Sequence, residues 1–169
     1  MMMRLGALAG VLALGLAGVQ GAQAAMRGNT VTAQKTAGPY RLVLKIGPAE
    51  MMSMNAKSGE RMMSGRPATC GMSGGSSMTM GKKRMCNHHV ELHVYRAKGG
   101  MVVQGARVTI TMMNVPKHMM VMVPIMTMED AHMGMKDLHY GNNVYAPAGM
   151  YTVNVQVNAV KAAFSVRVM

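Results

Sequence analysis

Alternation with a period of two, recurring in short segments and never giving way to a period of 3.6, is the feature that most restricts this chain. Tyr40, Leu42, Leu44 and Ile46 are interleaved with Arg41, Val43 and Lys45, and Gly47-Pro48 ends the run. Val90, Leu92 and Val94 alternate with His89, Glu91, His93 and Tyr95, and Lys98-Gly99-Gly100 forms a turn. Val108, Ile110 and Met112 repeat the pattern, which breaks at Asn114 to Pro116. Residues 119–125 read as another strand, with Pro124 marking an edge. Two segments close the chain, Tyr151-Val153-Val155-Val157 and Phe164-Val166-Val168. Successive side chains of a strand point to opposite faces, so each segment has one apolar face to bury. About six or seven short strands separated by Gly/Pro turns predict an all-β fold, an antiparallel β-sandwich. Residues before Tyr40 read as a polar lead-in, and residues 127–143 as a loop.

The N-terminus specifies a compartment. Arg4 precedes an apolar run from Leu5 to Val19, and Ala22-Gln23-Ala24 supplies small residues for a signal peptidase. The run is shorter than the roughly 18–20 residues of a membrane span, so a cleaved secretory signal over residues 1–24 is expected. No Cys stands at the cleavage site to carry a lipid, and no second long apolar run follows. The mature chain is expected to be soluble and periplasmic. Its single domain would combine an N-terminal strand region (25–49), a Met/Gly/Ser-rich flexible insertion (50–87) and the remaining sandwich (88–169).

Methionine dominates the unusual chemistry. The chain has 25 Met but one Phe, five Tyr and no Trp. Met can replace aromatics as core filler, but that does not account for Met in Gly/Ser-rich stretches without a core. The net charge of +12 is scattered, with Lys82-Lys83-Arg84 as the one run. Export removes nucleic acid as a partner, and the charge reads mainly as solubility. Two Cys, Cys70 and Cys86, would pair in an oxidising compartment. That bond would close a loop of about 16 residues and contribute roughly 3 kcal/mol. The competing reading makes both thiolates Cu(I) ligands, since Met72, Met78, Met80 and Met85 lie between them.

Two segments carry metal-ligand chemistry. Alternate strand residues lie about 6.5–7 Å apart on one face, so His89, Glu91 and His93 project together and neighbours can converge on one ion. Residues 126–141 hold Met126, Met128, His132, Met133, Met135 and His139 with three carboxylates. Thioethers suit Cu(I), whereas imidazole accepts Cu(II), Zn or Ni. A mixed set therefore suits copper in both oxidation states, with another transition metal the alternative. Met52-Ser53-Met54 and Met78-Thr79-Met80 would serve for exchangeable Cu(I) capture. The chain lacks a nucleophile elbow, a His-Glu-x-x-His pair and a phosphate-binding Gly loop. Both Cys precede the main strands, against a blue-copper arrangement. No enzymatic activity is expected.

The segment Val123-Pro124-Ile125-Met126, followed by Asp137-Leu138-His139-Tyr140-Gly141-Asn142-Asn143-Val144, resembles the Met-Pro-Met and His-Tyr-Gly-x-Asn-Val stretches of the periplasmic iron-transport-associated proteins. Those are copper-binding partners of bacterial iron permeases. Val90-Glu91-Leu92-His93 resembles that family's acidic-and-His strand, and Ala148-Gly149-Met150-Tyr151-Thr152-Val153 its Gly-x-Tyr strand start. The resemblance spans roughly residues 88–158. It implies an immunoglobulin-like sandwich, often a homodimer, with Glu91, His93, Met126 or Met128, and His139 as ligands. It also implies an inner-membrane metal transporter as partner. The chain departs from the pattern in a longer Met-to-His gap and in His89 standing four residues before His93. No His follows His139, which leaves His132 or His118 to complete the sphere. The rival reading is a protein-interaction module in which Met provides adaptable contact area.

Overall fold

The computed structural model describes residues 23–27, 29–53, 57, 60–64 and 86–169. Twelve strands account for most of these residues: β1 (Gln23–Arg27), β2 (Thr30–Ala37), β3 (Tyr40–Pro48), β4 (Met52–Ser53), β5 (Glu60–Ser64), β6 (His88–Arg96), β7 (Val108–Asn114), β8 (Met119–Val123), β9 (Met126–Asp130), β10 (His139–Val144), β11 (Gly149–Val157) and β12 (Val160–Val168). Eight form one sheet in the order β1-β2-β3-β6-β10-β9-β5-β4, and four form a second, β12-β11-β7-β8. All pairings are antiparallel except the short β4–β5 contact. The expected all-β sandwich is therefore the one observed, and its two facing antiparallel sheets are consistent with an immunoglobulin-like fold. No helix among the described residues is long and apolar enough to cross a membrane.

The core lies between the sheets. Leu42, Leu44, Val90, Leu92 and Tyr140 from the large sheet meet Ile110, Met112, Tyr151, Val153 and Phe164 from the small one. Burying each such side chain contributes about 1.5–3 kcal/mol. Tyr140 satisfies its hydroxyl inside this layer, donating to the Val103 carbonyl at 2.8 Å and accepting from Ala106 N–H at 3.1 Å.

Three expectations are corrected. The polar lead-in is strand β2, whose Val31 and Ala33 face the core between Thr32 and Gln34. Gly38, at φ +53°, supports the tight turn into β3. Residues 127–143 are mostly not a loop: β9 and β10 pair with each other and β10 with β6, leaving only a short turn and one 3₁₀ segment, Gly134–Asp137. Both faces of these strands are largely buried, so the polar-out half of the pattern never appeared in the sequence. The region 50–87 is also not wholly irregular, since β4 and β5 extend the large sheet beyond β9. The expected edge at Pro124 matches β8, which ends one residue earlier on the rim of the small sheet.

Residues 1–22 of the expected signal (1–24), together with Met54, Cys70, Met72, Met78, Met80 and Met85, lie outside the described residues, whereas its last two, Gln23 and Ala24, fall in β1. Cys86 is held in a disulfide.

Gly141 is where β10 approaches β6 most tightly, because a Cβ there would run into the carbonyl oxygen of Val90. Gly141→Ala is expected to cost about 3 kcal/mol or more by forcing the strands apart. Denaturant unfolding measures this, and a loss below about 1 kcal/mol would show that β10 can shift without penalty.

Candidate metal centre

The outward face of β6 carries His89, Glu91 and His93. On an ordinary sandwich strand this face would meet water. Here His89 and His139 are 0% exposed, His93 1% and Glu91 8%. That burial rules out a simple solvated polar face. Pairing of Tyr140 with Leu92 and Gly141 with Glu91 puts His139 beside His93 on the same face. The His93 and His139 rings stand 5.2 Å apart, centroid to centroid, and His89 meets His139 edge-on at 5.7 Å.

Glu91, His93 and His139 each offer a ligand atom within 4.8 Å of the others. Three donors about 2.0–2.2 Å from one ion lie about 3.3–3.8 Å apart, so a contraction of up to about 1 Å closes the set. Hydrogen bonding prepares it. His93 Nε2 donates to Glu91 Oε2 at 2.9 Å, while its buried Nδ1 has no hydrogen-bond partner among the described residues. His139 Nδ1 donates to the Asp137 carbonyl at 2.8 Å, so coordination would fall to Nε2. Such a carbonyl or carboxylate behind a histidine fixes its tautomer and ring orientation. The residues present fit a transition metal that accepts nitrogen and oxygen donors.

Charge is balanced locally. Lys45 Nζ lies 3.1 Å from Glu91 Oε2 and 3.7 Å from Asp137 Oδ1. Burial by itself would raise the Glu91 pKa, but the His93 hydrogen bond and the electrostatic pull of His139, Lys45 and His93 outweigh it. The carboxyl is held far below the usual carboxylate range. Asp137 is likewise lowered: burial opposes, and His139, His93 and Lys45 prevail. Lys45 is raised, because Glu91 and Asp137 overcome its partial burial.

The remaining candidates divide. Met126 and Met128 are buried on β9, and Met128 pairs with His139. His89 stands behind His139, with Nδ1 donating to Asn143 Oδ1 at 2.9 Å, and is outside the three-residue group. His132 is exposed on the turn after β9, and His118 is exposed before β8; neither joins the group. Met52 packs against the cluster of Met62, Met126 and Met128. Sequence reasoning missed Lys45 and Asp137 as charge partners, and Met62 as a neighbour of Met128. Lys45 was visible as a polar position on the first strand, but its role required knowing that β3 pairs with β6.

Two solved structures share this architecture. A copper-bound variant of FetP from uropathogenic Escherichia coli strain F11 superposes with a TM-score of 0.52 at 12% identity, over 80% of this chain and 93% of that one. The as-isolated FetP of the same strain, recombinantly expressed in the periplasm of E. coli, gives 0.53 at 11% identity, over 83% and 97%. The likeness is one of fold. No protein-family profile and no curated protein matches the chain.

A depressed carboxyl pKa stabilises the fold fully above its unfolded value, and that stability is lost as pH falls toward the folded value. Glu91 should therefore contribute undiminished at neutral pH and begin to be lost below about 4.5, its ordinary value. Thermal melts across the acid range are expected to show a shallower decline for Glu91→Gln than for the parent. Equal slopes would mean that Glu91 carries no such linkage.

Proposed function

We propose that the protein is a periplasmic copper-binding protein that acts as a metal-handling accessory, in copper delivery or in support of iron uptake through an inner-membrane transporter. The observation that carries this reading is the buried convergence of Glu91, His93 and His139. Buried ligand-type side chains within 4.8 Å of one another have few structural uses, since burying a carboxylate is costly unless it is paired.

Copper is favoured over other divalent ions by the Irving–Williams order at the imidazole/carboxylate set, and by the thioethers of Met126 and Met128 at its margin. The fold shared with FetP, one structure of which is copper-bound, supports the same metal. The signal-like N-terminus supports export. The reading is one of binding and hand-over without turnover, with a homodimer as the expected assembly.

The rival interaction module draws on one observation: Met113, Met120, Met122 and Met150 are exposed on the small sheet. It predicts a protein free of stoichiometric metal.

Removing second-sphere partners alone weakens metal binding about 10–100-fold, so removing two ligands should cost at least that. The His93→Ala/His139→Ala variant is expected to bind Cu(II) at least about 100-fold more weakly than the parent in a competition titration. Elemental analysis of protein isolated from the periplasm should find copper near one equivalent. Parent-like Cu(II) affinity in the double variant would remove the proposed centre.

A further inference from the structure

Beside the Glu/His group, the outer face of the large sheet carries a second buried cluster that contains no titratable side chain. Met62, Met126 and Met128 are 5%, 8% and 0% exposed and pack together, with half-buried Met52 against them. Backbone register builds the cluster. Met62 on β5 pairs with Met128 on β9, and Met128 pairs with His139 on β10. Adjacent strands lie about 4.8 Å apart, so Met62, Met128, His139 and His93 form consecutive steps of one row across the sheet. Met126 sits two residues from Met128 on the same face, opposite Gly141, which has no side chain to fill the space between. An ion pair between Arg61 and buried Glu129 holds β5 against β9 and so fixes Met62 in the row.

A small satellite core is the ordinary explanation for buried apolar residues under a peripheral segment. Composition argues against it here. Among the described residues, the main core is made of Val, Leu, Ile, Ala, Tyr and Phe, with Met112 as its single buried Met. The outer cluster is built from Met alone. Packing needs would be met by Leu or Ile, which have better-defined rotamers. What Met adds is soft sulfur on a flexible arm that can converge on an ion.

We infer that Met62, Met126 and Met128 form a second, all-thioether site that takes a soft monovalent cation, Cu(I) or its redox-inert analogue Ag(I), next to the Glu91–His93–His139 group. The inference deepens the copper reading and rests on it for the identity of the natural metal. It adds Met62, a residue contributed by β5, and divides the outer face by ligand chemistry. Sulfur at the β5–β9 end selects the monovalent ion, and nitrogen with oxygen at the β6–β10 end accepts the divalent one.

The test uses the full exported chain and its Met62→Leu variant. Leu preserves volume and apolar character, a swap that usually costs under about 1.5 kcal/mol, and a thermal melt checks that the fold persists. The first equivalent of Ag(I) is titrated against a competing chelator, Cu(II) is titrated in parallel, and X-ray absorption counts sulfur around the bound silver. Met62→Leu should weaken Ag(I) binding by about tenfold or more, remove one sulfur from the silver shell and leave Cu(II) affinity within about twofold. His93→Ala/His139→Ala should show the reverse selectivity. Unchanged Ag(I) affinity and sulfur count in Met62→Leu would overturn this site while leaving the Glu/His centre intact. Parent-like Cu(II) binding in the His variant, with Ag(I) binding still weakened in Met62→Leu, would instead sink the Glu/His centre alone. Should Met62→Leu melt early, the parent decides: three sulfurs around the first Ag(I) support the site, and fewer than three refute it.

Discussion

Lateral pairing of β6 with β10 is the constraint on which the rest of the molecule turns. With Tyr140 opposite Leu92 and Gly141 opposite Glu91, apolar side chains of both strands enter the sandwich while His89, Glu91, His93 and His139 share the other face. Because side chains alternate strictly, a slip of one residue would put imidazoles in the core and leucine outside. Gly141 enforces the pairing sterically, since no larger residue fits against the Val90 carbonyl. The apolar layer and the ligand face are thus two readings of one register, and neither can be altered without the other.

That arrangement demands unusual electrostatics. A carboxylate and several imidazoles are taken out of water on the outer side of a sheet, where little apolar burial offsets the cost. Lys45 from β3 and Asp137 from the turn before β10 balance the group, so positive and negative charges alternate over a few ångströms. A cation entering this group meets carboxylates already ionised and histidines already oriented. The organisation that a metal would otherwise have to impose on binding is largely in place.

Much of this was legible along the chain, and the exceptions share a cause. Strands β3, β6, β7, β11 and β12 alternate apolar with polar residues and could be read directly. Strand β2 escapes because Val31 and Ala33 are its only fully buried apolar residues, with Ala37 packing at the margin. The sequence of β9 and β10 reads as loop because Met128, His139 and Gly141 occupy positions where an ordinary strand shows solvent-facing polar side chains. Glu91, His93 and His139 stood out as ligand types at strand spacing. Their charge partners did not, because the spacing between Lys45 and Glu91 is set by strand order, not by sequence distance. Met62 was invisible for the same reason: among 25 Met, only the pairing of β5 with β9 singles it out.

The rims of the two sheets bear on how such a molecule behaves in company. The large sheet tapers at one end to β4, only two residues long, and the small one stops at Val123 just before a proline. Of the other two borders, β1 is five residues long, and the longer β12 sets Lys161 and Arg167 outward, where the Lys35 ammonium also reaches the Ala163 carbonyl. Short, proline-stopped and cationic borders are poor templates for a foreign strand. Contacts with another molecule are thereby steered toward side-chain surfaces instead of main-chain hydrogen bonding, which guards a methionine-laden polypeptide against fibrillar growth.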